Sequence, residues 1–167
     1  MKKALLVLIF LSMSLNAGAQ GSRHKETLKG LHGIRVIVET LNPELERDGL
    51  AARQIQLDVE LRLRKAGITV FSQDEANKAD SPAVLHVMVD AVKGDDFLQN
   101  LYAIHTSVEL WQVVYLHRPE KSPAFAAATW TIQGTALVGK ETLQEVRSYL
   151  AIGVDEFIND YITAHSK

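Results

Sequence analysis

The sequence predicts an α/β (α+β) two-layer sandwich: a mixed sheet in the order β-α-β-β-β-β-α, with two long helices on one face. Three observations predict it. Two stretches repeat apolar residues at three- and four-residue spacing, the mark of a helix with one buried face. Several shorter stretches alternate apolar with polar residues, as half-buried strands do. The composition, 47% hydrophobic and 23% charged over 167 residues, with no cysteine and a formal net charge of −2, is that of one globular domain.

Ile34–Leu41 opens the domain as a strand, with Ile34, Val36 and Val38 alternating against Arg35, Ile37 and Glu39. Asn42 and Pro43 end it and start a helix, the first as cap and the second in the first turn. That helix is expected from about Glu44 to Ala66, with Gly49 as a possible interruption and Gly67 as its stop. Ala52, Ile55, Val59, Leu63 and Ala66 share one face and should pack on the sheet. Leu50, Leu57 and Leu61 fall on nearly the opposite face, as surface leucines or a contact surface. Ile68–Phe71 is expected as a short strand, making a right-handed parallel βαβ unit with the first.

Residues 72–82 are polar, with one helical turn around Asp74–Lys78. Val84–Val92 alternates again, and Lys93, Gly94, Asp95 and Asp96 form a turn. Leu101–His117 is a long strand. One of its faces holds Tyr102, Ile104, Val108, Leu110, Val114 and Leu116; the other holds His105, Ser107, Glu109, Trp111, Val113, Tyr115 and His117. A loop over 118–123 leads to a strand over Ala124–Gln133, whose outward face is either Phe125 with Thr129 and Thr131, or Trp130 with Ile132. The last element, about Glu141–Ala164, steps through Leu143, Val146, Leu150, Val154, Phe157 and Tyr161 and is the strongest helical signal in the chain.

The first residues read as an address. Lys2 and Lys3 precede the apolar run Ala4–Leu15, and Ala17, Gly18 and Ala19 fit a small-x-small cleavage site. The run is shorter than the ~20 residues of a membrane span. A signal peptide over 1–19, cut after Ala19, a flexible lead-in over 20–33 and a single domain over 34–165 are therefore expected. Cutting 19 of the 167 residues leaves 148; it removes two lysines and no acid, so the net charge moves from −2 to −4. The destination is then the periplasm or the outside of a bacterial cell. Without cysteine, neither a lipid anchor nor a disulfide framework is available. No later stretch reads as a membrane span, and the acidic balance gives no footprint for nucleic acid.

Chemistry-bearing motifs are sparse. No HExxH, GxxxxGK[ST], GxGxxG or GxSxG pattern occurs. His105, Ser107 and Glu109 alternate on one strand face, which sets His105 and Glu109 ~13 Å apart, too far for a catalytic triad. His86 and His105 could be neighbours on adjacent strands, but a metal site would need further ligands such as Asp90 or Glu109. The expectation is no catalytic, cofactor or metal site. With both helices on one side, the other sheet face stays open, unless the lead-in folds across it. Trp111, Val113 and Tyr115 make its later part apolar, the look of a protein interface. The candidate partner surface is thus Trp111, Val113 and Tyr115, with Leu50, Leu57 and Leu61 on the helix.

Ile34–Leu41 (IRVIVETL), Leu57–Val70 (LDVELRLRKAGITV), Ala79 with Asp80, and Leu85–Val92 (LHVMVDAV) together resemble the N-terminal domain of the Tol-Pal translocation protein. They are also similar to the periplasmic domains of curli-secretion and flagellar-assembly lipoproteins, whose helix ends in a leucine-to-Gly-x-x-Val run. The likeness covers most of residues 34–164. It implies a non-enzymatic module of cell-envelope assembly or transport and transfers no binding residue. The chain departs from those proteins in having no lipobox cysteine and no β-propeller following. A protein partner or self-association is the leading expectation. A small-ligand carrier, with a lipid or metabolite pocket between sheet and helices, is the alternative.

Overall fold

The computed structural model describes residues 25–79, 83–117 and 123–166. The predicted signal peptide and the first residues of the lead-in lie outside them, as does most of the 118–123 loop. Four strands form one mixed sheet in spatial order β1 (Arg35–Val38), β2 (Val84–Lys93), β3 (Leu101–Tyr115), β4 (Ala124–Gly139). β1 runs parallel to β2; the other pairings are antiparallel. Among the described residues, the α-helices that accompany it are α1 (Pro43–Arg47), α2 (Ala52–Lys65), α3 (Gln73–Lys78) and α4 (Glu145–His165). The two long ones, α2 and α4, form the second layer of the expected sandwich.

The core lies between these layers. α2 contributes Ile55, Val59 and Leu63; α4 contributes Val146, Leu150, Val154 and Phe157. Leu85, Val87, Ile104, Val108, Leu110 and Trp130 face them from the sheet. These are the stripes that helical and strand periodicity select. Two ion pairs tie the helices together at the surface, Arg62 to both oxygens of Asp155 at 2.9 Å and Arg147 Nε to Asp58 at 2.7 Å.

Several features differ from the sequence reading. β4, expected over Ala124–Gln133, continues to Gly139. The single helix over 44–66 is two. Gly49 adopts φ +101°, and the Leu50 amide donates back to the Leu45 carbonyl at 2.9 Å, so α1 closes in a left-handed cap. The same device, with Gly67 at φ +80° and the Ile68 amide on Leu63, ends α2 where expected. Because Gly49 resets the phase, Leu50 does not share a helix face with Leu57 and Leu61. It is buried in the core beside Leu45.

The strand expected at Ile68–Phe71 is reduced to one parallel bridge, Val70 to Ile34. The rest of the outer edge of β1 is occupied by a side chain. The Gln56 amide accepts from the Val38 N–H at 3.1 Å and donates to the Val36 carbonyl at 3.0 Å, imitating a strand. Within the expected lead-in, the described residues from Lys25 onward are docked. Leu28 and Leu31 are buried in the core. Tyr161 donates to the Leu31 carbonyl at 2.9 Å, and Lys25 pairs with Asp160 at 2.9 Å. Two leucines in a polar stretch carry no periodicity to reveal this. The segment meets α4 on the helix side, and its described residues leave the open sheet face uncovered.

Candidate functional site

β3 is longer than its neighbour β2. Register pairs Val84 with Trp111 and Lys93 with Tyr102, so β2 ends level with Trp111. Beyond it, among the described residues, Gln112–Tyr115 pair only with Ala124–Ala127. This part of the hairpin projects from the sheet as an arm. A β-bulge between Leu110 and Trp111, opposite Thr129, separates arm from body. The bulge also re-phases β4. Trp130 and Ile132 turn toward the helices, Thr131 turns to the open face, and Phe125 pairs with Val114 on the helix side of the arm. Of the two alternatives for the outward face of this strand, Trp130 with Ile132 is excluded, and the other holds for Thr131 but not for Phe125.

The arm is apolar and exposed. Val113 is 50% exposed, Tyr115 71%, Leu116 43% and Phe125 44%. At its root a polar lattice fixes the open face. The Glu109 carboxylate accepts from the Ser107 hydroxyl and from the Trp111 indole N–H, both at 2.8 Å. The Trp111 ring lies 5.8 Å from the His86 ring, and His86 Nδ1 stands 3.3 Å from a Glu39 oxygen. Trp111 is thereby held half-buried, with one edge bonded and the rest available. Ser107 is buried and bonded to Glu109; His105 approaches Thr135 instead, at 3.5 Å. The strand geometry keeps these three from forming a triad. His86 pairs with Glu109, whereas His105 pairs with Asp90, four positions further along β2. The two histidines are thus ~13 Å apart rather than neighbours. Among the described residues, no group of three or more His, Cys, Asp or Glu could hold a metal ion.

The six candidate surface residues fall into three places. Trp111, Val113 and Tyr115 share the open face of β3 and its arm. Leu57 and Leu61, each 51% exposed, lie on the solvent side of α2, with the thickness of the molecule between. Leu50 is in the core and available to no partner, which corrects its place on that surface.

A fourth feature carries no local motif. Asp48, which caps the end of α1, receives three donors: Lys140 Nζ at 2.7 Å, the Tyr102 hydroxyl at 2.6 Å and Lys93 Nζ at 3.1 Å. These come from the ends of β2, β3 and β4, so one carboxylate pins the α1–α2 joint to three strands. The Lys140 hydrogen bond, then those from Tyr102 and Lys93, hold its carboxyl well below the usual carboxylate range. Burial, reinforced by Asp48, pushes the Tyr102 hydroxyl up. The signal that could have found it is Tyr102, a tyrosine on a buried strand face whose hydroxyl needs a partner. A carboxyl whose folded pKa is depressed stabilises the fold above its unfolded pKa and loses that contribution in acid. The melting temperatures of the wild type and Asp48→Asn should therefore differ constantly above about pH 5 and converge as pH falls below about 4. A gap independent of pH down to 2 would contradict this.

An apolar hollow of about 200 Å³ lies between β3, β4 and α4, lined by Ile104, Ile132, Gly134, Tyr149, Ile152 and Gly153 among others. Thr106 and Gly134 face each other across the strands there, and the missing side chain at Gly134 opens the space.

No protein-family model matches the chain, and no curated protein does. Among solved structures, the chain is similar to one from Helicobacter pylori described as a homolog of neuraminyllactose-binding hemagglutinin. That similarity has 12% identity, spans 83% of this chain and 86% of that one, and has a TM-score of 0.31, too loose to bear on function. No helix among the described residues is long and apolar enough to cross a membrane.

Proposed function

We propose that this chain is an exported, non-enzymatic protein-binding or scaffolding module of the cell envelope, engaging its partner through the β3–β4 arm and the adjoining open face. The arm carries the reading. An isolated two-stranded hairpin is marginal in water, and this one holds Val113, Tyr115, Leu116 and Phe125 in solvent. A partner seated on it supplies the apolar cover that the described residues do not. Trp111, oriented by Glu109 and His86, is the anchor at its base, in keeping with the enrichment of tryptophan at binding hot spots. Export rests on the lysine pair, apolar run and small-x-small site of residues 1–19, and the cell-envelope role on the resemblance to Tol-Pal, curli and flagellar periplasmic domains.

Paired substitution Val113→Ser and Tyr115→Ser tests this. Both side chains are half exposed or more, so stability should change by less than about 1 kcal/mol. Protein neighbours crosslinked to the wild type in intact cells should be lost. Retention of the same neighbours by the folded variant would refute the arm as the contact.

The hollow beneath α4 favours a second reading, a carrier of small apolar molecules. Its volume is below the ~300–1,000 Å³ of drug-sized sites, so it suits one short alkyl group. Octanoate raising the melting temperature of the wild type, but not of Gly134→Leu, would support that reading.

A further inference from the structure

The two edges of the sheet are treated oppositely. The outer edge of β1 is closed by Val70 at Ile34 and by the Gln56 amide at Val36 and Val38. Nothing comparable closes β4 among the described residues. Among the described residues, no backbone group pairs with its outer edge from Trp130 to Val138. Edge strands are ordinarily protected by charge, proline or short length. β4 is 16 residues long and has neither charge nor proline between Ala124 and Gly139. Its only irregularity is the bulge at Thr129, which leaves the stretch from Trp130 onward regular.

We propose that two copies of this chain pair antiparallel through β4, about a two-fold axis at Gln133, joining their sheets into one of eight strands. This surface is the edge of the sheet rather than its open face, and the inference stands apart from the cell-envelope reading. The sequence of the edge favours a second copy over a foreign strand, because it is complementary to itself. With Gln133 opposite Gln133, Thr131 meets Thr135 on the open face in both directions, a favourable cross-strand pair. On the helix side, Ile132 meets Gly134 and Trp130 meets Ala136, large against small each time.

Within its own chain Gly134 opens the hollow but relieves neither a clash nor backbone strain. Its φ is outside the left-handed range, and an added Cβ would meet only the Thr106 hydroxyl, at an ordinary 3.5 Å. In the pair, the missing side chain makes room for the partner's Ile132. That isoleucine then sits at the mouth of the apolar hollow, whose lining includes Ile152, 61% exposed. An uncharged strand also places no like charges together, the usual obstacle to self-pairing.

Sedimentation velocity over 1–200 µM tests the proposal on the protein as isolated. The wild type should shift to twice the mass of one chain as concentration rises. Gln133→Lys and Gln133→Glu each set like charges about 5 Å apart across the axis, which should weaken dimerisation by more than about tenfold. An equimolar mixture of the two should dimerise at least as well as the wild type, which a folding defect would not allow. A wild type monomeric at 200 µM, a dimer indifferent to both substitutions, or a mixture that stays monomeric would each overturn it. The last two would place any contact elsewhere; the first would leave β4 to a foreign strand.

Discussion

Phe157→Ala is expected to destabilise the fold by about 3–5 kcal/mol. Phe157 is fully buried in the middle of α4. Its ring meets Trp130 edge-on, with centroids 5.1 Å apart and planes at 80°, and lies 6.3 Å from Tyr161. Trp130 is fixed in turn by its indole N–H on Asp160 at 3.0 Å. The ring therefore joins α4 to β4 at the place where the bulge turns that strand toward the helices. Truncation leaves a void lined by rigid groups, which collapse poorly, so the cost should lie at the upper end. In urea denaturation, followed through tryptophan fluorescence, the midpoint should fall with an unchanged slope. A loss below about 1 kcal/mol would mean that Phe157 is not the joint described.

Leu28→Ala is expected to cost about 2–5 kcal/mol, the range for a buried leucine. Such a loss from a position before the first strand distinguishes a docked segment from a free lead-in. Leu28 is fully buried, and around it the Thr27 hydroxyl donates to the Thr129 carbonyl at 3.2 Å. Lys29, whose ammonium pairs locally with Glu26, provides the control: Lys29→Ala should change stability by less than about 0.5 kcal/mol. Equal small effects at both positions would place the segment outside the fold.

What could be read from the sequence was what period and local chemistry encode. Ile55, Val59 and Leu63, and Val146, Leu150, Val154 and Phe157, announce buried stripes by spacing alone. Asn42, accepting from the Glu44 amide at 2.9 Å, and Pro43 mark a helix start. Gly67 marks an end. The faces of β3 follow from simple alternation along its whole length, because the extra residue of the bulge lies on β4. What escaped depends on contacts distant in sequence or on a single shift of phase. Leu50 reads as a surface leucine until one left-handed glycine, Gly49, resets the helical count. Phe125 changed sides because one extra residue at Thr129 does the same to a strand. The capping of β1 by Gln56 and the triple clamp on Asp48 are tertiary hydrogen bonds with no local pattern to betray them. For the candidate site, the apolar run Trp111, Val113 and Tyr115 was visible in advance. That it lies on a projecting arm was not, because it follows from where β2 ends.

The most direct test of the account is a photo-crosslinking residue placed at position 115 in living cells, with a second at Asp74 on α3, an exposed residue outside the arm, as control. A protein adduct of defined mass at 115, without its counterpart at 74, is the result the binding-arm account predicts. No adduct at 115, or the same set of adducts at both positions, would contradict it.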